Sequence, residues 1–416
     1  MEYGANILDV MKSVKQAAIY ARQVVTPSDV WEDGVVEISH GKVKYLGHQS
    51  SYCSGQLATY SGHYLIPGMI DLQLNGSGGG DLSTGTVEDI EKVARSLATH
   101  GTTGYLATIV TNQTEKMMQA LDGVSRQLGN QVPGARPLGI HLEGPFINPA
   151  KRGAHLVEYI VPPNIDLFRH FLKASRYQIK MLTLAPELPS APEVIREARN
   201  QMPIVSAGHT MASYDEGLEA IRSGINFATH IFNAMPSLHH REPGLIGAVL
   251  DSDEVVAGVI PDGIHLHPSI VRLVSNYREA DKTVYVSDAI SAADMPDGQY
   301  QVGSLTVTVR NGVARDSHGS LAGSTLTLDR ALKNLVEWLM ENLGVWERRS
   351  LKDIVAALTL IPAELIGMKE KGRIEVGSDA DLVLLDADFN VLRTWVNGEL
   401  VFQASEITSA EETRSV

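Results

Sequence analysis

In the stretch GIHLEGPFI, residues 139–147, a glutamate at position 143 closes an apolar run and is followed directly by Gly-Pro. Two further runs end in the same way on histidine: PIVSAGH at His209 and INFATH at His230. One carboxylate and two imidazoles from three run ends can converge on a divalent cation and leave a fourth position for water. That is the ligand set of a catalytic zinc, and iron, cobalt or manganese also accepts it. The run TVYVSDA ends on Asp288, a carboxylate that can take a proton from water attacking a carbonyl and return it to a leaving nitrogen. Read without the other three residues, Asp288 fits better as a helix N-cap before AISAAD. His141 lies two residues before Glu143 on the same strand face, as a hydrogen-bond partner behind the site or as a buried structural residue. Gln73 and Asn75 close the first run and Asp262 the seventh.

These residues need a scaffold that brings run ends together. Between Tyr64 and Asp288 the chain alternates β-rich apolar runs with helical stretches, the pattern of parallel β/α units. The eight runs cover 64–76, 103–111, 137–144, 179–187, 203–209, 225–230, 255–263 and 283–289. Helices are expected at Val87–His100, with Thr84 or Thr86 as N-cap, and at Tyr214–Ser223 and Pro268–Arg278. Eight units predict an α/β fold, a (β/α)₈ TIM-like barrel, whose chemistry sits where strands pass into βα loops. The flanks are different: 17–62 and 372–402 alternate apolar and polar residues around Gly and Asn-Gly turns, as antiparallel hairpins do. A small β-sandwich built from both chain ends follows, giving units at 1–63, 64–371 and 372–416. LTVTVRNGVARD, 305–316, reads as an inserted hairpin turning at Asn311-Gly312, either a lid or a plain surface feature. The first 15 residues and the tail after Ala404 lack a pattern and are expected to fray.

A chain of 416 residues with 44% hydrophobic and 20% charged residues can bury a large core. No window approaches the roughly 18 apolar residues of a membrane span, and no secretory signal is evident, so the expected compartment is the cytoplasm. The net charge of −14 repels nucleic acid and acidic membrane surfaces, and an anionic substrate would need a local cationic pocket. Cys53 is the single cysteine, which excludes an intramolecular disulfide and reads as an ordinary packed thiol.

The motifs PGMIDLQLNG, HLEGPFINPAKRGAH, SAGHT, THIFNAM, DGIHL, VSDA and LAGS resemble, in order and over nearly the whole chain, the N-acetylglucosamine-6-phosphate deacetylase family of the amidohydrolase superfamily. The resemblance implies a metal-dependent deacetylase of a phosphosugar, with Glu143, His209 and His230 as ligands and Asp288 as general base, then acid. It further implies substrate contacts from Ala154 and His155, Asn233 and Ala234, Arg241, His265, and Leu321, Ala322 and Gly323. A homodimer in which Arg241 reaches the neighbouring subunit's pocket is implied as well.

Where many amidohydrolases carry His-x-His, this chain has Gln73-Leu74-Asn75. Amides are poor ligands beside imidazole, so one ion per subunit is expected, with Gln73 and Asn75 holding water or lining the pocket. A guanidinium can grip phosphate with two parallel hydrogen bonds, although from residue type alone Arg241 reads as an ion-pair partner of Glu242. His239 and His240 read as loop residues. The rival activities are deacetylation of N-acetylgalactosamine 6-phosphate, another amidohydrolase reaction, and a non-catalytic barrel acting as a scaffold.

Overall fold

The computed structural model describes residues 16–53, 57–340 and 349–405. Eight strands pair in parallel and in sequence order: Met69–Leu74, Thr102–Val110, Arg136–Glu143, Ile179–Leu184, Ile204–Ala207, Phe227–Ala228, Val256–Val259 and Thr283–Tyr285. A parallel bridge between Leu74 and Ala289 returns the chain after the eighth strand to the first and closes the ring. This is the expected (β/α)₈ barrel. All six residues of the first strand are buried, because one face of a barrel strand lines the interior and the other meets helices.

The helices bury one stripe each. In Val87–Thr99 the buried set includes Ile90, Val93, Ala94, Leu97 and Ala98, the three-and-four spacing of an amphipathic helix. Thr86, not Thr84, is its N-cap and accepts the Asp89 N–H at 3.3 Å, while Thr84 donates its hydroxyl to the Asp89 carboxylate. Gly101, at φ 71°, follows its C-terminal end in the left-handed conformation that such an exit uses. Among the described residues no helix is long and apolar enough to cross a membrane.

The run 64–76 divides between two sheets. Tyr64–Pro67 finish the strand Ala58–Pro67, which pairs with Leu382–Leu385, and the first barrel strand starts at Met69. Gly68 sits at the crossover, where a Cβ would meet Thr103 Oγ1 at 2.1 Å. The terminal sheet has seven strands in the order Glu399–Gln403, Val391–Val396, Leu382–Leu385, Ala58–Pro67, Gln16–Val25, Val30–Ser39 and Lys42–His48. Its register puts Trp395 level with Leu382 and Leu382 level with Pro67, seven residues along the strand from Tyr60. In a flat sheet that offset alone would separate the rings by roughly 23 Å. Their centroids are 5.4 Å apart, so the sheet curls over itself into a sandwich around Ile19, Val36, Leu65, Leu384 and Trp395.

After the eighth strand comes a three-stranded insertion, Gly298–Val302, Leu305–Arg310 and Val313–Arg315, turning at Asn311-Gly312 with φ of 51° and 73°. The turn between its first two strands docks on the barrel mouth. Gly303 N–H donates to Asp81 Oδ2 at 2.8 Å, and the Ser304 hydroxyl donates to Asn112 Oδ1 at 2.9 Å. Residues 1–15 and most of the tail after Ala404, which the sequence expects to fray, lie outside the described residues.

Candidate active site

Glu143 is the last residue of the third strand, and His209 and His230 stand two residues beyond the fifth and sixth. All three are buried. His209 Nε2 and His230 Nε2 lie 3.1 and 3.2 Å from Glu143 Oε1, and 3.1 Å from each other. His209 Nδ1 is 2.9 Å from the Lys151 carbonyl, which can only accept, so Nδ1 carries a hydrogen and Nε2 is the nitrogen turned to Glu143 and open to a metal ion. Three electron-rich atoms so close need a proton or a cation among them. Burial alone would push the Glu143 carboxyl up, but the adjacent His209 and His230 rings hold it well below the usual carboxylate range. Burial disfavours the charged His230 ring too, yet Glu143 raises it. Bonds of 2.0–2.1 Å in tetrahedral geometry separate ligand atoms by about 3.3 Å, so the triangle fits a metal ion. A looser grouping of Glu143, His155 and His209 brings ligand atoms within 4.8 Å. The tighter triangle through His230 is the better cradle, with the His155 ring packed edge-on against His209 at 4.5 Å.

Asp288 faces this triangle across the barrel seam. Its N–H donates to the Gln73 carbonyl at 3.0 Å, and Asn75 N–H donates to the Ala289 carbonyl at 2.8 Å, which sets Asp288 beside the first strand's amides. Gln73 Nε2 and Asn75 Nδ2 both donate to Asp288 Oδ1, at 3.2 and 2.9 Å, and Gln73 Nε2 also reaches Glu143 Oε1 at 3.2 Å. The helix-cap reading of Asp288 fails, because no helix follows it. Removal from water and the charge of Glu143 push Asp288 up to about 6. His209, His230 and Asp288 have φ of 49°, 32° and 49°, a region that residues with a Cβ enter at a cost and that concentrates at functional sites.

His141 does not touch the triangle. Its Nδ1 and Nε2 meet the hydroxyls of Thr108 at 3.2 Å and Thr183 at 2.7 Å, inside the barrel below the site. Burial pushes it down to about 4, so it is neutral there and has the structural role.

A cavity of about 170 Å³ opens above these groups, lined by Asn75, Ala154, His155, Asn233, Ala234, His265, Leu321, Ala322 and Gly323 among others. Burial and the neighbouring His209 push His155 down to about 3. His265 Nδ1 is 2.6 Å from Asp262 Oδ2, which directs its other nitrogen elsewhere. Arg241 is the one expected contact that the fold does not bring to its own chain's cavity. It lies on an exposed loop with its guanidinium 2.9 Å from His240 Nε2, and the expected pairing with Glu242 is not formed. Sequence reasoning missed Val110 and Val302, which complete the wall, Lys151, whose carbonyl orients His209, and Glu187. Glu187 alone had a visible signal, since it ends the fourth run.

A parallel barrel gathering a carboxylate and two imidazoles above its strand ends defines a barrel enzyme with its chemistry at the C-terminal face. Residues 64–401 match the amidohydrolase family. The chain is 33% identical over 389 residues to the N-acetylglucosamine-6-phosphate deacetylase of Bacillus subtilis (strain 168), covering 92% of this chain and 96% of that one. It is 36% identical over 360 residues to the Bos taurus enzyme of the same name, covering 83% and 85%. Its fold matches that of a Mycobacterium smegmatis N-acetyl-D-glucosamine-6-phosphate deacetylase mutant in complex with N-acetyl-D-glucosamine-6-phosphate. The TM-score is 0.87 at 29% identity, over 94% of this chain and 100% of that one. The chain belongs to the N-acetylglucosamine-6-phosphate deacetylases of the amidohydrolase family.

Proposed function

We propose that the chain hydrolyses the acetamide of N-acetyl-D-glucosamine 6-phosphate to D-glucosamine 6-phosphate and acetate, in amino-sugar breakdown. The observation that carries this is the convergence of Glu143, His209, His230 and Asp288 on one cavity. Glu143, His209 and His230 hold one divalent ion per subunit, zinc first and iron, cobalt or manganese as alternatives. Bound there, such an ion would supply Lewis acidity toward the amide carbonyl and the attacking water.

The other steps fall to side chains of the chain. Gln73 and Asn75 both donate to Asp288 Oδ1, which leaves Oδ2 to take the proton of the attacking water. As the C–N bond breaks, Asp288 returns that proton to the leaving nitrogen, giving an amine and acetate. His155, neutral, and His265, held through Nδ1 by Asp262, orient the sugar hydroxyls with Asn233 and the loop Leu321–Gly323. Among the described residues lining the cavity there is no Lys or Arg, so a phosphate dianion has no permanent cation from its own chain. This supports a homodimer in which Arg241 of the partner subunit completes the site. A phosphosugar, too polar to cross a bilayer unaided, suits a cytoplasmic enzyme.

The test is acetate release from N-acetylglucosamine 6-phosphate, N-acetylgalactosamine 6-phosphate and unphosphorylated N-acetylglucosamine. The first is expected to turn over with the highest kcat/KM, and preference for either of the others contradicts the reading. Arg241→Ala should lower kcat/KM for the 6-phosphate tenfold or more, since each charge-assisted bond contributes roughly 1.5–3 kcal/mol, and change it little for the plain sugar. Mixed dimers of Arg241→Ala and Asp288→Asn chains should regain activity through the one site with both groups intact. No rescue in verified mixed dimers would return Arg241 to its own chain.

A further inference from the structure

Glu187, two residues past Ala185 in the loop after the fourth strand, has no part in the reaction above, yet it accepts three hydrogen bonds from groups around His209. Its Oε2 takes the Thr210 hydroxyl at 2.5 Å; its Oε1 takes the Met211 N–H at 2.6 Å and Asn148 Nδ2 at 2.9 Å. Asn148 is also tied to His209, for its N–H donates to the His209 carbonyl at 2.9 Å. Its Oδ1 accepts the Ala150 N–H and caps the short turn Pro149–Lys151, and the Lys151 carbonyl at the end of that turn accepts His209 Nδ1–H. One carboxylate therefore holds the backbone that leaves His209 and, through Asn148, the turn that orients its ring.

His209 needs such a clamp. Its φ of 49° persists only where the surroundings enforce it. Three donors converge on Glu187, and an ionised carboxylate is the side chain that can accept from all of them without presenting a donor of its own. An amide of the same shape would lose at least the bond from the Thr210 hydroxyl, which would have to turn and accept while it already accepts the Ala212 N–H.

We propose that Glu187 is a positioning residue that fixes His209 as an Nε2 ligand and ties the metal centre to the segment leading into Ala154 and His155. This rests on the reading of His209 as a metal ligand. The variants are Glu187→Gln, Thr210→Val, Asn148→Ala and His209→Asn, each stripped of metal, checked by thermal melting, then titrated with zinc against a competing chelator. Loss of a group that orients a ligand typically costs 10–100-fold in metal affinity. Glu187→Gln is expected to weaken zinc by about that factor, with Thr210→Val and Asn148→Ala smaller in the same direction, while the metal-free melting temperature stays near wild type. The downfield NMR signal of the His209 Nδ1–H should broaden or shift in Glu187→Gln. Wild-type zinc affinity in a folded Glu187→Gln, with zinc lost in His209→Asn, overturns the role of Glu187 alone. Tight zinc binding by His209→Asn instead overturns the ligand reading. Should Glu187→Gln not fold, unchanged affinity in both Thr210→Val and Asn148→Ala overturns the proposal.

Discussion

In the terminal sheet, Trp395 packs edge-on against Tyr60 among the apolar side chains of Ile19, Leu65 and Leu384. At the barrel mouth, His209, His230 and Asp288 sit at positive φ, and Gln73 Oε1, Asn75 Oδ1, His155 Nδ1 and His230 Nδ1 are buried without a hydrogen-bond partner. Buried polar atoms are ordinarily paired, and Asn75 and His155, which carry two of these unpaired atoms, line the cavity. One region packs apolar side chains together and contributes stability. The other breaks several local rules at once, and the rest of the barrel must hold it in place.

If that division is real, substitutions should separate chemistry from stability. The largest effect is expected from Asp288→Asn, which keeps the shape but cannot accept a proton. Its kcat should fall on the order of 10²- to 10⁴-fold with metal content and melting temperature near wild type. Near wild-type turnover in a metal-loaded variant would remove Asp288 from proton transfer. Trp395→Ala is the counterpart in the sandwich. Truncating a buried aromatic costs about 3–5 kcal/mol, seen as a lower denaturation midpoint, while kcat of the still-folded protein should hardly change. A matching loss of kcat would show that the two regions are coupled.

Asp71 tests the border between them. It lies wholly inside the barrel under Gln73, its Oδ1 accepting the N–H groups of Gln73 and Ser287 at 3.2 and 3.3 Å and its Oδ2 unpartnered. Burial pushes it up to about 7 from an ordinary 3.8. The folded state thus holds the proton more tightly than the unfolded chain. The contribution of Asp71 to stability is greatest below pH 3.8, falls as pH rises toward 7 and is flat above. Asp71→Asn keeps the acceptor oxygen and abolishes that slope. It should stabilise the protein at pH 8 by up to roughly 4 kcal/mol, and by less at pH 5, in urea denaturation. Equal effects at both pH values would mean that Asp71 is ionised in the fold.

The four central residues were legible because each closes a β-rich run, and a barrel places run ends together. His141 shares the strand face of Glu143, but its depth in the barrel puts it against the Thr108 and Thr183 hydroxyls, which a period of two does not reveal. The strand Gly298–Val302 escaped notice because its apolar face is only two side chains, Tyr300 and Val302, alternating with Gln299 and Gln301. Lys151 acts through its carbonyl, so its side chain carries no signal. Glu187 ended a run like the others, and only the turn geometry shows that its carboxylate bonds to the loop after His209. Arg241 follows a strand end in the sequence, yet the loop that carries it leads away from its own chain's cavity.

The central claim is that one ion, held by Glu143, His209 and His230, makes the chain a deacetylase. It is tested most directly by returning zinc to metal-free protein in steps, with elemental analysis and acetate release from N-acetylglucosamine 6-phosphate measured on the same samples. The account predicts activity that rises in proportion to bound zinc and levels off at about one ion per chain. Full activity in metal-free protein, or activity that appears only when a second ion binds, would contradict it.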